Sequence, residues 1–455
     1  MTHSKSSVRL PTRRDFLKQS LVGGVALGWT ASSWSRVYGA NDRLNVASIG
    51  TGGKGWDDLT QVAKSPNVNV TALCDIDESQ AHLGRAAEKF TSAEKFTDFR
   101  KLLDDANQKA FDAVIVSTPD HMHAPIALPA MQLGKHVYCQ KPLTHTVHEA
   151  RQMRAAATKY KVVTQMGNQI QSHQFYRTAV KLVHDGGIGK VKEVHAWQSG
   201  NMGWILADDR PSTKDEVPST VHWDEWLGVA PERPYISKIY HSFNWRGWQD
   251  FSNGQLGDFG CHILDPVSTA LKLSSPLKVT AEATAMNREV WYKKSKVSYE
   301  FPATELTVAG AIKVTWYDGD GHFPSSEAHG LPPSYKLPAS GSVLIGEKGT
   351  LVIPHVAAPK LFPEDKFAEF KIEEVPARDH YVSWADACRG ADHTTSHFDY
   401  AVPLTESVLL GTVAIRLPGE TLMWDAAKGT VTNNANANAL LTKPYRKGFE
   451  PKWLS

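Results

Sequence analysis

The sequence predicts an α/β domain wound around a parallel sheet, followed by an α+β domain whose sheet is largely antiparallel and open. Three observations carry this. Short apolar runs alternate with helical patterns from residue 44 to about residue 139, the signature of parallel strands joined by crossover helices. After residue 168 that rhythm breaks into strand-like runs without helices between them. A length of 455 residues also exceeds what one ordinary core accommodates.

Composition narrows the class. Apolar residues make up 41% and charged residues 22%, as in soluble globular proteins. The formal charge of +2 gives no electrostatic reason to expect nucleic acid or an anionic membrane as partner. Cys74, Cys139, Cys261 and Cys388 are far apart and form no paired motif. Buried thiols are therefore expected, not a zinc site or a disulfide framework. Fourteen Trp is a heavy load for this length. Most of them belong in the core, although flat aromatic faces also suit sugar surfaces.

The chain divides into a leader at 1–40, a first domain at 41–165 and a second at 166–455. Arg13 and Arg14, followed by Phe16 and Leu17, match the twin-arginine (Tat) export signal. The weakly apolar stretch 21–34 contains Gly23, Gly24 and Gly28 and is too short and glycine-rich for a good membrane span. Cleavage fits after Tyr38-Gly39-Ala40. The expectation is a periplasmic or otherwise exported protein, carried by the Tat machinery and free of the membrane once mature. Such an enzyme leaves the compartment where nicotinamide nucleotides are plentiful, so any bound cofactor has to be held and recycled in place.

The first domain opens with a strand at 44–49 running into Gly50-Thr51-Gly52-Gly53-Lys54-Gly55 and a helical pattern at 56–63. Glycines at these three positions allow a tight turn, close approach of a diphosphate, and packing of helix on strand. A second strand at 68–73 leads to Asp75, an acid placed to accept the adenosine ribose hydroxyls and to repel a 2′-phosphate. That favours NAD over NADP. Asp77 is a close competitor for the role. A helix at 99–105, a buried strand at 113–117, a helix at 126–133 and a strand at 136–139 continue the alternation. Ligands then lie beyond the strand ends, beside Ser117, Thr118, Pro119, Gln140 and Lys141. His121 and His123 form an HxH pair in the loop after the fourth strand. No acid or Cys at ligand spacing accompanies them, so packing beside the nicotinamide is expected and no metal.

In the second half, a helix at 175–184 precedes strand patterns at 191–197, 277–285 and 307–317. A hairpin pairs 342–346 with 349–353 across Glu347 and Lys348. Helices are expected at 381–389 and 403–415, and the Asn- and Ala-rich stretch 432–438 reads as a loop. An aromatic insertion carries Trp204, Trp223, Trp226, Tyr235, Tyr240, Trp245, Arg246 and Trp248 and leads directly to Asp258 and His262. That proximity makes Trp245, Arg246 and Trp248 candidates for a substrate wall.

Four stretches, the glycine loop, 117–123, 134–142 and Gly257-Asp258-Phe259-Gly260-Cys261-His262, together resemble the Gfo/Idh/MocA oxidoreductases, and the likeness runs from about residue 42 nearly to the C-terminus. Where that family usually has Glu-Lys-Pro, this chain has Gln140-Lys141-Pro142. The lysine carries over and the carboxylate does not. The resemblance implies a Rossmann domain, NAD, a sugar or polyol substrate and a homo-oligomer. It also places Asn168, His173, Tyr176 and Arg177 near the sugar or nicotinamide. For catalysis it offers Lys141 and the pair Asp258/His262, whose spacing sets both side chains on one helix face. His262 is read as general base, Lys141 as stabiliser of the alkoxide, and Asp258 as orienting or tuning them. Either Lys141 or His262 can serve as formal base.

Three functions are compatible with this reading. The first is an oxidoreductase acting on the CH–OH group of a sugar, polyol or glycoside with internally recycled cofactor. The second is a redox-neutral, NAD-dependent glycosidase. The third is a non-catalytic protein that binds NAD and sugar.

Overall fold

The computed structural model describes residues 43–200, 203 and 205–450. The twin-arginine leader and Trp204 lie outside the described residues. Six strands make the first sheet: β1 (Leu44–Ile49), β2 (Val68–Cys74), β3 (Glu94–Phe96), β4 (Ala113–Val116), β5 (His136–Cys139) and β6 (Thr164–Met166). Their order is β3-β2-β1-β4-β5-β6, and every pairing is parallel. β1 and β4 are buried almost throughout because helices cover both faces, which explains their unbroken apolar runs. Strand order reverses between β1 and β4, so their C-terminal loops part and open a crevice at the sheet edge.

Helix α1 (Gly53–Val62) follows β1 directly, and α2 (His123–Gln132) lies between β4 and β5. Helix α3 (Val147–Tyr160) escapes the sequence pattern, yet a local signal fixes its start. Thr146 Oγ1 accepts from the Glu149 amide and Glu149 Oε2 from the Thr146 amide, a reciprocal capping box. The expected helix at 99–105 shrinks to Phe99–Leu102.

The second sheet has nine strands. They are β7 (Val191–Gln198), β8 (Lys278–Ala283), β9 (Ser295–Pro302), β10 (Ala311–Asp318), β11 (Ser340–Gly346), β12 (Thr350–Pro354), β13 (Lys360–Phe362), β14 (Thr421–Asp425) and β15 (Thr430–Val431). Their order is β13-β12-β11-β7-β10-β9-β8-β14-β15, antiparallel except for β7 beside β10. The hairpin β11–β12 forms as expected, with Ile345 opposite Thr350. β9 was not legible in advance. Its alternating burial shows why: only every second residue meets the core, and Lys296 and Glu300 between them disguise the run.

Helix α4 (Gln174–His184) precedes β7, and α5 (Gly254–Ile263) with α6 (Asp265–Leu271) precedes β8. Near the end come α7 (His380–Cys388) and α8 (Phe398–Ile415). α8 starts five residues before Pro403, its first amide anchored by Thr164 Oγ1. It is apolar on all sides because it is buried against α3, α5 and β8. In the stretch expected as a loop, Ala435–Ala439 forms a short helix, since Asn434 Oδ1 caps the Ala437 amide. All four cysteines are buried and free.

Candidate active site

A cleft of about 500 Å³ runs along the C-terminal ends of the parallel strands, between them and α5. One end is built by the glycine loop. Gly50 has φ +82°, and a Cβ there would stand 2.5 Å from the Ser117 carbonyl across the crevice. A Cβ on Gly55 would meet the Gly50 carbonyl at 2.0 Å, so α1 packs tightly on the turn. No side chain caps the N-terminus of α1 and no acid occupies its first turn, which leaves a positive helix end facing the cleft. Asp75, at the tip of β2, holds the loop: its Oδ2 accepts from the Thr51 amide at 2.7 Å and the Gly52 amide at 3.2 Å. Burial alone would raise this carboxyl, but His82 and the Thr51 and Asp77 amides bring it below its usual value. A turn shaped by glycine, an uncapped helix end and an ionised acid beside it fit a dinucleotide's diphosphate and ribose.

Between the two ends stands Gln140. Its Nε2 donates to Asp58 Oδ2 at 2.8 Å, and Ser117 Oγ donates to the same oxygen at 2.7 Å. Lys54 pairs with Asp58 Oδ1 at 3.0 Å and donates to Tyr381 Oη at 2.8 Å. Here the buried acid belongs to α1 while residue 140 is an amide. Burial raises the Asp58 carboxyl; Lys54 and the bonds from Ser117 and Gln140 oppose it.

The other end centres on Lys141. Its ammonium donates to the Asp258 carbonyl at 2.6 Å and to Asp258 Oδ1 at 2.8 Å. Arg246 Nε lies 3.3 Å from the same carboxylate oxygen, with its guanidinium stacked over Trp245 at 4.3 Å and Phe243 at 4.5 Å. Burial would raise the Asp258 carboxyl, but Lys141 and Arg246 hold it at about 2. One turn on, His262 is buried and Nδ1 has no hydrogen-bond partner among the described residues. Burial, then Lys141 and His355, push it well below the ordinary histidine value, so the ring is neutral. Asp258 spends its carboxylate on the two cations rather than on orienting His262.

Sequence reasoning missed Asp120. It lines the cleft one residue past Pro119, and its Oδ2 accepts from the Asn253 amide at 3.0 Å. Burial and then the neighbouring Asp258 raise its carboxyl to about 7. The only advance signal was an acid in the loop after β4, at the strand ends where ligands lie.

Gly50, Gly52, Gly53, Lys54, Asp75, Ser117, Thr118, Pro119, Gln140, Lys141, Trp245, Arg246, Asp258 and His262 all face this cleft. Other candidates do not. Thr51 and Gly55 are packed behind the loop. His121 gives Nε2 to the Trp226 and Leu227 carbonyls, and His123 bridges the Pro142 and Thr118 carbonyls, so both are scaffolding under the floor. Asn168 is fully buried between Asp265 and Ser396. His173 Nδ1 accepts from the Phe175 amide at the start of α4. Tyr176 bonds through Oη to His355 Nδ1 at 2.8 Å, a step behind His262, and Arg177 lines a separate pocket beside Arg378. Trp248 points into the aromatic core with Tyr240 and Phe251, its Nε1 donating to the Ile239 carbonyl. Side chains alternate around the turn at 245–248, and only part of it can face the cleft.

A parallel sheet with this loop, followed in the chain by helix α5 with Asp258 and His262 and by a mostly antiparallel sheet, is a dinucleotide-binding fold joined to an α+β part. The profile of the oxidoreductase family's NAD-binding Rossmann fold matches residues 44–168, and that of its C-terminal α/β domain matches 176–311, together more than half of the chain. The protein belongs to the Gfo/Idh/MocA family, and its first domain binds NAD. It is 31% identical over 106 residues to a levoglucosan dehydrogenase of Pseudarthrobacter phenanthrenivorans, covering 23% of this chain and 26% of that protein. It is 31% identical over 295 residues to a glycosyl hydrolase family 109 protein of Saccharopolyspora erythraea, covering 58% and 55%. The chain thus spans between about a quarter and just over half the length of these curated relatives. In fold it is similar to the aldose-aldose oxidoreductase of Caulobacter crescentus, crystallised with glycerol: TM-score 0.55, 17% identity, 84% of this chain and 100% of that one.

Proposed function

We propose that the protein is an exported oxidoreductase that oxidises a secondary alcohol of a sugar, polyol or glycoside and recycles NAD within one active site. The observation that carries this reading is Lys141, pinned by both acceptors of Asp258 beside a neutral His262 whose Nδ1 has no hydrogen-bond partner among the described residues. Bound NAD supplies the acceptor for the hydrogen and electron pair that leave the carbinol carbon. Lys141 presents an ammonium to the oxygen as it becomes an alkoxide. His262, uncharged at neutral pH, takes the hydroxyl proton. Asp258 fixes Lys141 in place, and Arg246 adds a second cation behind it. Trp245 and Phe259 give the substrate an apolar wall. Likeness to a levoglucosan dehydrogenase and an aldose-aldose oxidoreductase supports a carbohydrate substrate. The twin-arginine leader supports export and a retained cofactor, and the family supports a homo-oligomer.

A second reading is favoured by the longer match to a family 109 glycosyl hydrolase: the same groups would oxidise transiently, release an aglycone and return the electrons. One experiment separates the two. The protein, purified without added cofactor, is mixed with a panel of sugars and aryl glycosides while absorbance near 340 nm and products are followed. Stoichiometric NADH from free sugars supports the oxidoreductase. Aglycone release without lasting NADH supports the glycosidase. Absence of bound nucleotide together with no response to added NAD overturns both.

A further inference from the structure

A second cluster of side chains stands at the Asp75 end of the cleft, outside the chemistry above. Asp77 follows β2, His82 stands at the N-cap of the helix Leu83–Lys89, and His241 comes from the aromatic insertion. Their potential ligand atoms lie within 4.8 Å of one another. Asp77 Oδ1 accepts from the Ser79 amide at 2.9 Å, which leaves Oδ2 to face both imidazoles. His241 Nε2 is 2.8 Å from it and His82 Nε2 is 3.7 Å. The first distance is a hydrogen bond; the second is too long for one.

Ligand atoms around a tetrahedral zinc ion, bonded at roughly 2.0–2.2 Å, stand about 3.3 Å apart, between those two distances. Each imidazole is therefore within about half an ångström of ligand spacing from Asp77 Oδ2, and the two imidazoles are within 4.8 Å of each other. The far nitrogen of His82 is also backed as a metal-bound imidazole usually is: Nδ1 faces Asp75 Oδ2 at 3.5 Å. Two imidazoles with a single carboxylate suit a borderline transition cation, whereas calcium and magnesium want oxygen shells.

We propose that Asp77, His82 and His241 form a three-ligand site for a divalent transition cation, best matched by Zn²⁺, with its open position towards the cleft. His241 begins the segment 241–246 along the cleft, and Arg246 at the other end of that segment is tied to Asp258. A cation at His241 fastens this end of the strap more firmly beside the dinucleotide site than its hydrogen bond to Asp77 alone. Bound cation and bound NAD then strengthen each other by the same factor.

The test uses the full chain, stripped with a chelator and dialysed. Zn²⁺ is titrated against a chromophoric competitor, and Co²⁺ replaces it for visible absorption. The expected result is one ion per chain, a four-coordinate Co²⁺ spectrum, and slower NAD release with Zn²⁺ bound. His82→Gln and His241→Gln each weaken binding at least tenfold; glutamine at 241 still offers Asp77 a donor, so fold and hydrogen bond survive while the imidazole ligand is lost. Zn²⁺ binding by the wild type no tighter than by the double glutamine variant overturns the proposal. A Co²⁺ spectrum that persists in both single variants overturns it equally.

Discussion

The two ends of the cleft each hold a buried carboxylate, and they use it in opposite ways. Asp75 spends its charge on backbone amides of the glycine loop, fixing a shape. Asp258 spends its charge on Lys141 and Arg246, fixing two cations. A carboxylate bonded to amides keeps a fixed negative site for donors such as ribose hydroxyls. A carboxylate bracketed by two cations leaves one positive charge in excess, which suits a developing anion. The division of labour follows from what each acid touches, since both are ionised and nearly enclosed.

The sharpest way to break this contrast is Lys141→Ala. Loss of one preorganised donor to a developing alkoxide is expected to slow single-turnover NADH formation by about 10²–10³-fold, with NAD affinity unchanged. A parallel loss of NAD affinity would mean the two ends are not separate. Gln140→Glu comes next: it sets a second carboxylate against Asp58 and should lower the unfolding free energy, measured by urea titration, by about 3 kcal/mol. Combining it with Asp58→Asn should restore most of that loss, because the pair again holds one acid and one amide. Asp75→Ala should release the glycine loop and weaken NAD binding by about 10–100-fold, measured by calorimetry, while the rate constant at saturating NAD stays close to wild type.

The smallest effect concerns pH. Below about pH 7 Asp120 is neutral, so Lys141, Arg246 and Asp258 sum to one positive charge; above it Asp120 ionises and cancels that charge. Affinity for a carboxylate inhibitor of the substrate site should therefore fall several-fold as pH rises through 7, and should stay flat in Asp120→Asn. The sign for stability agrees. A carboxyl raised on folding favours the folded state at low pH and loses that contribution as pH climbs from about 4 to 7. Asp120→Asn should thus gain stability relative to wild type over the same window.

Local sequence signals carried a good part of the site. The glycine loop and Asp75 were legible because each depends on spacing along one element, whereas Lys141, Asp258 and His262 entered through the family resemblance. Partner choice was not legible. Asp258 looks from the sequence like a companion of His262, yet Lys141, 117 residues away in the chain, takes its carboxylate. His121 and His123 read as cofactor contacts, but Nε2 of His121 and both ring nitrogens of His123 meet backbone carbonyls, a fact only packing reveals. The absence of the usual acid at 140 gains its meaning from Asp58, 82 residues earlier.

What the sequence determined by itself was the kind of machine: alternating buried strands and helices, a turn that only glycine allows, and a lysine and a histidine at places where strands and helices must end. Those are local matters of sterics and periodicity. Tertiary structure decided which groups stay charged, which are scaffolding, and that His241 and Arg246 tie one segment to both ends of the cleft. Charge and hydrogen bonding in a buried site depend on neighbours through space, and no spacing along the chain encodes them.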